Sequence, residues 1–155
     1  MHAPADLTSM PGHQLRRLQQ ISVASFLRET QDVGLTPLQF EAMTALAREP
    51  LLDQRALACR IGLDASTLGG VVDRLADRGL IERRRTPQDR RVYLLILTSA
   101  GHALQRQVQP GVARSQARLL APLPTPTQAQ FLQMLRVLVG DLPPVAASSQ
   151  TWAAG

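Results

Sequence analysis

The sequence predicts a mainly α fold carrying one small β-hairpin. Three observations predict it. Apolar residues recur at helical spacing through most of the chain, with cap and stop residues between the runs. The period changes to strand-like only from Leu80 to Leu97. The chain has 155 residues, enough for one domain with a core, and its hydrophobic share is 45%.

The elements follow in order. Pro4 and Pro11 bracket small and polar residues, so residues 1–11 read as a flexible N-terminal segment. A first helix runs from Gly12 to about Gln31, with Leu15, Leu18, Ile21 and Phe26 among its apolar residues, and Gly34 breaks it. Thr36 is an N-cap with Pro37 at the first helical position, the favoured order for a helix start. Leu38, Ala42, Ala45 and Leu46 stripe that second helix up to Arg48, and Pro50 ends it. Asp53 caps a short third helix, Gln54 to Ile61, stopped by Gly62. Asp64 or Ser66 caps a fourth, running to Arg78 with Leu68, Val71, Val72 and Leu75 inward; Gly79 ends it.

Ile81 to Arg85 and Arg91 to Leu97 read as two strands joined by the turn Thr86-Pro87-Gln88-Asp89. Thr98 or Ser99 opens a long helix to Leu120, in which Pro110 predicts a kink. Pro122, Pro124 and Pro126 predict a hinge before a last helix, Thr127 to Val139. Residues 141–155 are Pro/Ala/Ser-rich and read as a flexible tail. A short helix, a Gly turn and an Ala/Ser/Thr-bearing helix form a helix-turn-helix pattern, and the hairpin behind it is a wing. The flanking helices, too apolar to stand alone, read as dimerisation helices.

Charge points to the partner. The chain has 17 Lys+Arg against 12 Asp+Glu, and every cation is arginine. Arginine favours phosphate or guanine edges, which it meets bidentately, although genomic GC bias also favours it over lysine. Aromatic content of 3% argues against stacking platforms for single strands. The single cysteine, Cys59, permits no internal disulfide and makes a reducing cytoplasm the default. No leader or membrane-span pattern, metal-ligand spacing, phosphate-binding glycine loop or nucleophile elbow is read, so neither cofactor, metal nor catalytic residue is expected.

On the fourth helix, Ser66, Thr67 and Gly70 fall opposite the apolar face, where they can enter a major groove. Ser66 and Thr67 offer hydroxyl donors, and Arg74 stands one turn beyond Gly70. Gly69 and Gly70 each cost about 1 kcal/mol against alanine inside a helix. That cost implies close approach either to DNA or to a neighbouring helix. Arg83, Arg84, Arg85, Arg90 and Arg91 gather on the hairpin, with Arg84 alternating to one face and Arg83 and Arg85 to the other. Asp89 ties back an arginine and shapes the turn.

Residues 54–81 resemble the helix-turn-helix of the MarR (multiple antibiotic resistance regulator) family. Asp89-Arg90-Arg91, five residues, then Leu97-Thr98-Ser99-Ala100-Gly101 is similar to that family's wing signature. The resemblance implies residues 12–140 as one such domain, with 34–98 the winged helix-turn-helix and 12–33 and 99–140 the dimerisation helices. It implies a homodimer on palindromic duplex DNA, usually a repressor released by an effector, with Arg90 or Arg91 in the adjacent minor groove. The chain departs from the family at Gly70, where many members carry a longer polar residue, which shifts base readout toward the wing. Residues 11–23 resemble a subgroup governing nicotinate-type and other aromatic acids. That implies a small aromatic carboxylate held by His13, Arg16 and Arg17, which lie within about a turn of each other. Two other readings stay open: an effectorless architectural DNA binder, and a redox sensor through Cys59. Arg60 stands beside Cys59, but a buried, inert thiol is the expectation.

Overall fold

The computed structural model describes residues 6–85 and 92–140. It contains α1 (Pro11–Glu29), α2 (Pro37–Arg48), β1 (Leu52–Asp53), α3 (Gln54–Arg60), α4 (Ala65–Asp77), β2 (Ile81–Arg85), β3 (Tyr93–Leu97), α5 (Ser99–Leu120) and α6 (Thr125–Val139). The strands form one antiparallel sheet in the order β1-β3-β2, with Ile81 opposite Leu97, Arg85 opposite Tyr93 and Leu52 opposite Leu95.

Side-chain caps set the starts of α2, α3, α4 and α5. Thr36 accepts from the Gln39 amide while the Gln39 side chain accepts from the Thr36 amide, a reciprocal capping box for α2. Asp53 accepts from the Ala56 amide at 2.7 Å to start α3, and Asp64 from the Thr67 amide at 2.8 Å to start α4. Thr98 accepts from the Gly101 amide at 3.0 Å and donates to the Gly79 carbonyl at 2.8 Å, so the start of α5 is fastened to the end of α4. Gly62 (φ 71°) and Gly79 (φ 67°) close α3 and α4 in the left-handed region, which costs glycine no Cβ clash.

One core joins helices α1–α5 and the sheet. Leu35, Met43, Leu46, Leu57, Leu68, Leu75 and Leu95 are fully buried in it. Phe26 of α1 meets Phe40 of α2 with ring centroids 5.9 Å apart, the separation of a tilted aromatic pair. Two glycines are demanded by packing. A Cβ on Gly101 would lie 2.2 Å from the Leu80 carbonyl oxygen, and one on Gly111 would lie 2.6 Å from that of Glu29. Gly111 thus lets α5 cross close to the end of α1. There the Glu29 carboxylate accepts from Arg114 at 2.7 Å and pairs with Arg118 at 3.0 Å.

Several expectations change in detail. A two-residue strand, β1, was not foreseen; it pairs with β3 and brings the wing back against the start of α3. Strand β3 begins at Tyr93, inside the expected Arg91 start. Helix α5 passes through Pro110 as one element; the residue is exposed, so the acceptor its missing N–H leaves unpaired can face water. Helix α6 begins at Thr125 because proline is tolerated in a first helical turn, where Pro126 lies. The 141–155 tail lies outside the described residues.

No residue of α6 is buried within the chain. Met134, Val137, Leu138 and Val139 are 61–71% exposed, and Leu15, Ile21 and Leu27 of α1 are exposed too. An amphipathic helix with its apolar stripe in water needs a second surface.

Candidate nucleic-acid interface

Helix α4 presents two faces. Leu68, Val71, Val72 and Leu75 are buried, while Ser66, Thr67, Asp73 and Arg74 are exposed and Gly69 and Gly70 half-buried. The split is the one the apolar spacing predicts.

The two hydroxyls were expected to donate outward, and in the free protein they do not. Ser66 donates to Asp64 Oδ1, and Thr67 donates to Asp64 Oδ2 at 2.6 Å. The Ser66 hydroxyl, the Thr67 hydroxyl and the Thr67 amide together hold the Asp64 carboxyl well below the usual carboxylate range. Each hydroxyl keeps its lone pairs and can still accept a hydrogen bond.

The two glycines now separate. A Cβ on Gly69 would lie 3.3 Å from Gln54 Nε2, the flexible end of a side chain on α3 that donates to the Ala65 carbonyl at 2.9 Å. A Cβ on Gly70 would meet only the Arg74 guanidinium, at 3.5 Å, an ordinary contact. No neighbouring helix requires Gly70.

The wing carries its arginines on alternate faces. Arg84 pairs with Glu82 on its own strand and face. Arg83 reaches back to Asp73 of α4. Arg85 donates from Nε to Tyr93 Oη at 3.1 Å, and its guanidinium carbon lies 5.6 Å from that ring's centroid, within cation–π range. All three are exposed. Asp89, Arg90 and Arg91, the expected wing tip, lie outside the described residues.

Between α3 and the hairpin is a groove of about 660 Å³ lined by Gln54, Arg55, Arg83 and Tyr93, among others. The sequence reading passed over Gln54 and Arg55. Their signal was position: they are the first two residues of the first helix of a helix-turn-helix, the element that crosses the phosphate backbone.

The candidate effector residues lie elsewhere. His13 is half-buried on α1, and Arg16 and Arg17 are exposed. A cavity of about 570 Å³ opens beside α2 instead, lined by Phe40, Glu41, Thr44, Arg48, Arg60, Ile61 and their neighbours. None of the three α1 residues lines it. Thr44 and Arg48 also line a second cavity, of about 350 Å³, with Gln105 and Gln109 of α5. The Thr44 hydroxyl is buried there with no hydrogen-bond partner among the described residues. Arg60 is paired with Glu49, and burial pushes the Glu41 carboxyl above its ordinary value.

Cys59 corrects an expectation. It is exposed, because α3 turns Leu57 and Ala58 into the core and Cys59 and Arg60 away from it. No helix among the described residues is long and apolar enough to cross a membrane.

An exposed recognition helix, an arginine-bearing hairpin and an uncovered pair of apolar outer helices define a winged helix-turn-helix protein of the dimeric, DNA-binding kind. The comparisons agree. The MarR family profile matches residues 35–93. The transcriptional repressor NicR of Pseudomonas putida is 30% identical over 138 residues, 89% of this chain and 87% of that one. The structure of the PcaV transcriptional regulator of Streptomyces coelicolor with its natural ligand aligns at TM-score 0.82 and 40% identity, over 89% of this chain and 97% of that one. Bordetella bronchiseptica BpsR, described for regulation of its DNA binding by 6-hydroxynicotinic acid, aligns at TM-score 0.82 and 29% identity, over 88% and 97%. The chain belongs to the MarR family.

Proposed function

We propose that this protein is a transcriptional repressor of the cytoplasm, a binding protein and not an enzyme, which grips a palindromic DNA operator as a homodimer. The observation that carries the reading is the joint presentation of α4 and the wing. Asp73 of α4 holds Arg83 of β2, so the groove-facing helix and the arginine-bearing strand approach DNA as one surface. Ser66, Thr67, Gly69, Gly70 and Arg74 face the major groove in this reading. Arg84, Arg85, Arg90 and Arg91 meet phosphate and the minor groove, with Asp89 shaping the wing. The apolar faces of α1 and α6 pair with a second copy, which spaces the two half-sites about one helical turn apart. Selection of bound sequences from random duplex tests this. Recovery of a palindrome supports it, and recovery of unselected duplex overturns it.

The effector is a small aromatic carboxylate. Support comes from relatives: BpsR responds to 6-hydroxynicotinic acid, and PcaV was solved with its natural ligand. His13, Arg16 and Arg17 are the cationic group assigned to the carboxylate in this reading; the cavities beside α2, which these three residues do not line within one chain, have the size of small-molecule sites. An effector that prefers the dimer with mismatched lobe spacing lowers DNA affinity, and DNA lowers effector affinity by the same factor. Titration of the protein–operator complex with 6-hydroxynicotinate and benzoate tests this half. Release of DNA, lost in the Arg16→Ala, Arg17→Ala double variant, is expected.

A further inference from the structure

Arg78 is the C-cap residue of α4, the point at which the recognition helix ends. The structure gives it other partners. One Nη of its guanidinium donates to the Gly34 carbonyl at 2.8 Å and the other to the Val33 carbonyl at 2.8 Å. Those two carbonyls belong to the short connection between α1 and α2. Among the described residues, this is the only side-chain hydrogen bonding between that connection and α4.

The geometry has a direction. Eleven residues beyond Thr67, Arg78 returns to within about 20° of that residue's side of the helix three turns on. Its guanidinium is nevertheless engaged by the Val33 and Gly34 carbonyls and is not held out along the groove-facing row. A planar guanidinium on two successive carbonyls fixes orientation as well as distance, which a single ammonium cannot do. Arg78 is exposed and neighbours Leu75 and Leu80, which already bury this end of α4 in the core. The clamp therefore adds angle rather than burial. It joins the recognition helix to the joint where α1, which carries part of the uncovered apolar face, turns into the winged lobe.

We infer that Arg78 is a positioning residue that sets the angle of the recognition helix relative to the dimerisation helix, and through that angle the half-site spacing the dimer accepts. The inference rests on the dimeric regulator reading above. Each base pair added between half-sites rotates one of them by about 35° round the duplex, so a fixed angle enforces one spacer length.

The experiment uses the full chain and a palindrome selected by the wild type, with fluorescence anisotropy on that palindrome and on versions one base pair longer and shorter. Arg78→Gln is expected to bind the selected palindrome about tenfold more weakly. It is expected to lose most of its preference for that spacer and to leave the slope of affinity against salt unchanged. Arg78→Lys, which keeps the charge and loses the fork, is expected to fall between. A salt slope reduced by about one in Arg78→Gln would make the residue a phosphate contact and overturn the inference. A lower melting temperature with the spacer preference intact would make it a simple staple and also overturn it. A wild type that selects no palindrome removes the regulator reading and this inference together, whereas an unaltered spacer preference in both variants removes the inference alone.

Discussion

Asp64 and Thr67 are joined twice: the Thr67 amide donates to one carboxylate oxygen at 2.8 Å and the Thr67 hydroxyl to the other at 2.6 Å. The pair starts the recognition helix and occupies one of its expected DNA-facing hydroxyls. Asp64→Ala is expected to lower the melting temperature by a few degrees and to weaken operator binding more than that loss of stability implies. Because the folded-state pKa of Asp64 is depressed, its contribution is present above the ordinary carboxylate pKa and is lost as pH falls below it. The gap in melting temperature between wild type and variant should therefore be full at neutrality and narrow progressively as pH falls below about 4, measured by thermal melts across pH.

Gly70 has no partner that a methyl group would displace. Gly70→Ala is expected to stabilise the helix by about 1 kcal/mol, raising Tm by roughly 2–4 °C, while operator affinity falls by about tenfold. Melting curves and anisotropy on the same sample check both. A rise in Tm with unchanged affinity would show that the glycine is neutral toward DNA. Gly101→Ala is the contrasting control, since its Cβ has no room and the fold itself should suffer.

Arg85 stacks on Tyr93 at the open end of the wing. As a phosphate contact, its replacement by alanine should weaken binding equally on selected and random duplex and reduce the salt slope by about 0.9. Equal salt slopes in wild type and Arg85→Ala would place it off the DNA.

Glu41 lines the cavity of about 570 Å³ beside α2, where desolvation pushes its carboxyl above the ordinary value. The ionised form is penalised in the fold, so the cost appears as pH rises above the unfolded value, about 4.3. Glu41 is exposed, so solvent screens most of that cost, and Glu41→Gln should melt at most about a degree above wild type at pH 7 and level with it near pH 4.

Much of this fold was readable because the chain punctuates its helices. Thr36-Pro37, Asp53, Asp64 and Thr98 are caps whose side chains bond as their types suggest, and Gly62 and Gly79 stand where helices stop. What escaped has physical reasons. Two residues cannot display a period, so β1 left no trace until β3 was seen beside it. The exposure of Cys59 depends on which side of a seven-residue helix meets the core, and one Leu-Ala pair sets that side weakly. The hydroxyls of Ser66 and Thr67 were read for their chemistry, but their donors were already taken by the cap. Arg78 was read only as the end of the fourth helix, because sequence gives the type of a side chain and not the carbonyls within its reach.

The strand β1 has a consequence for engineering. Asp53 both ends that strand and caps α3, and the strand pairs with the arm of the wing that leads into α5. The helix-turn-helix and the wing are therefore spliced at their roots, and operator specificity is not a cassette confined to the recognition helix. A chimera that exchanges residues 65–77 alone would graft a new reading edge onto a frame cut for the old one. The transplantable unit runs from residue 52 to residue 97, seam included.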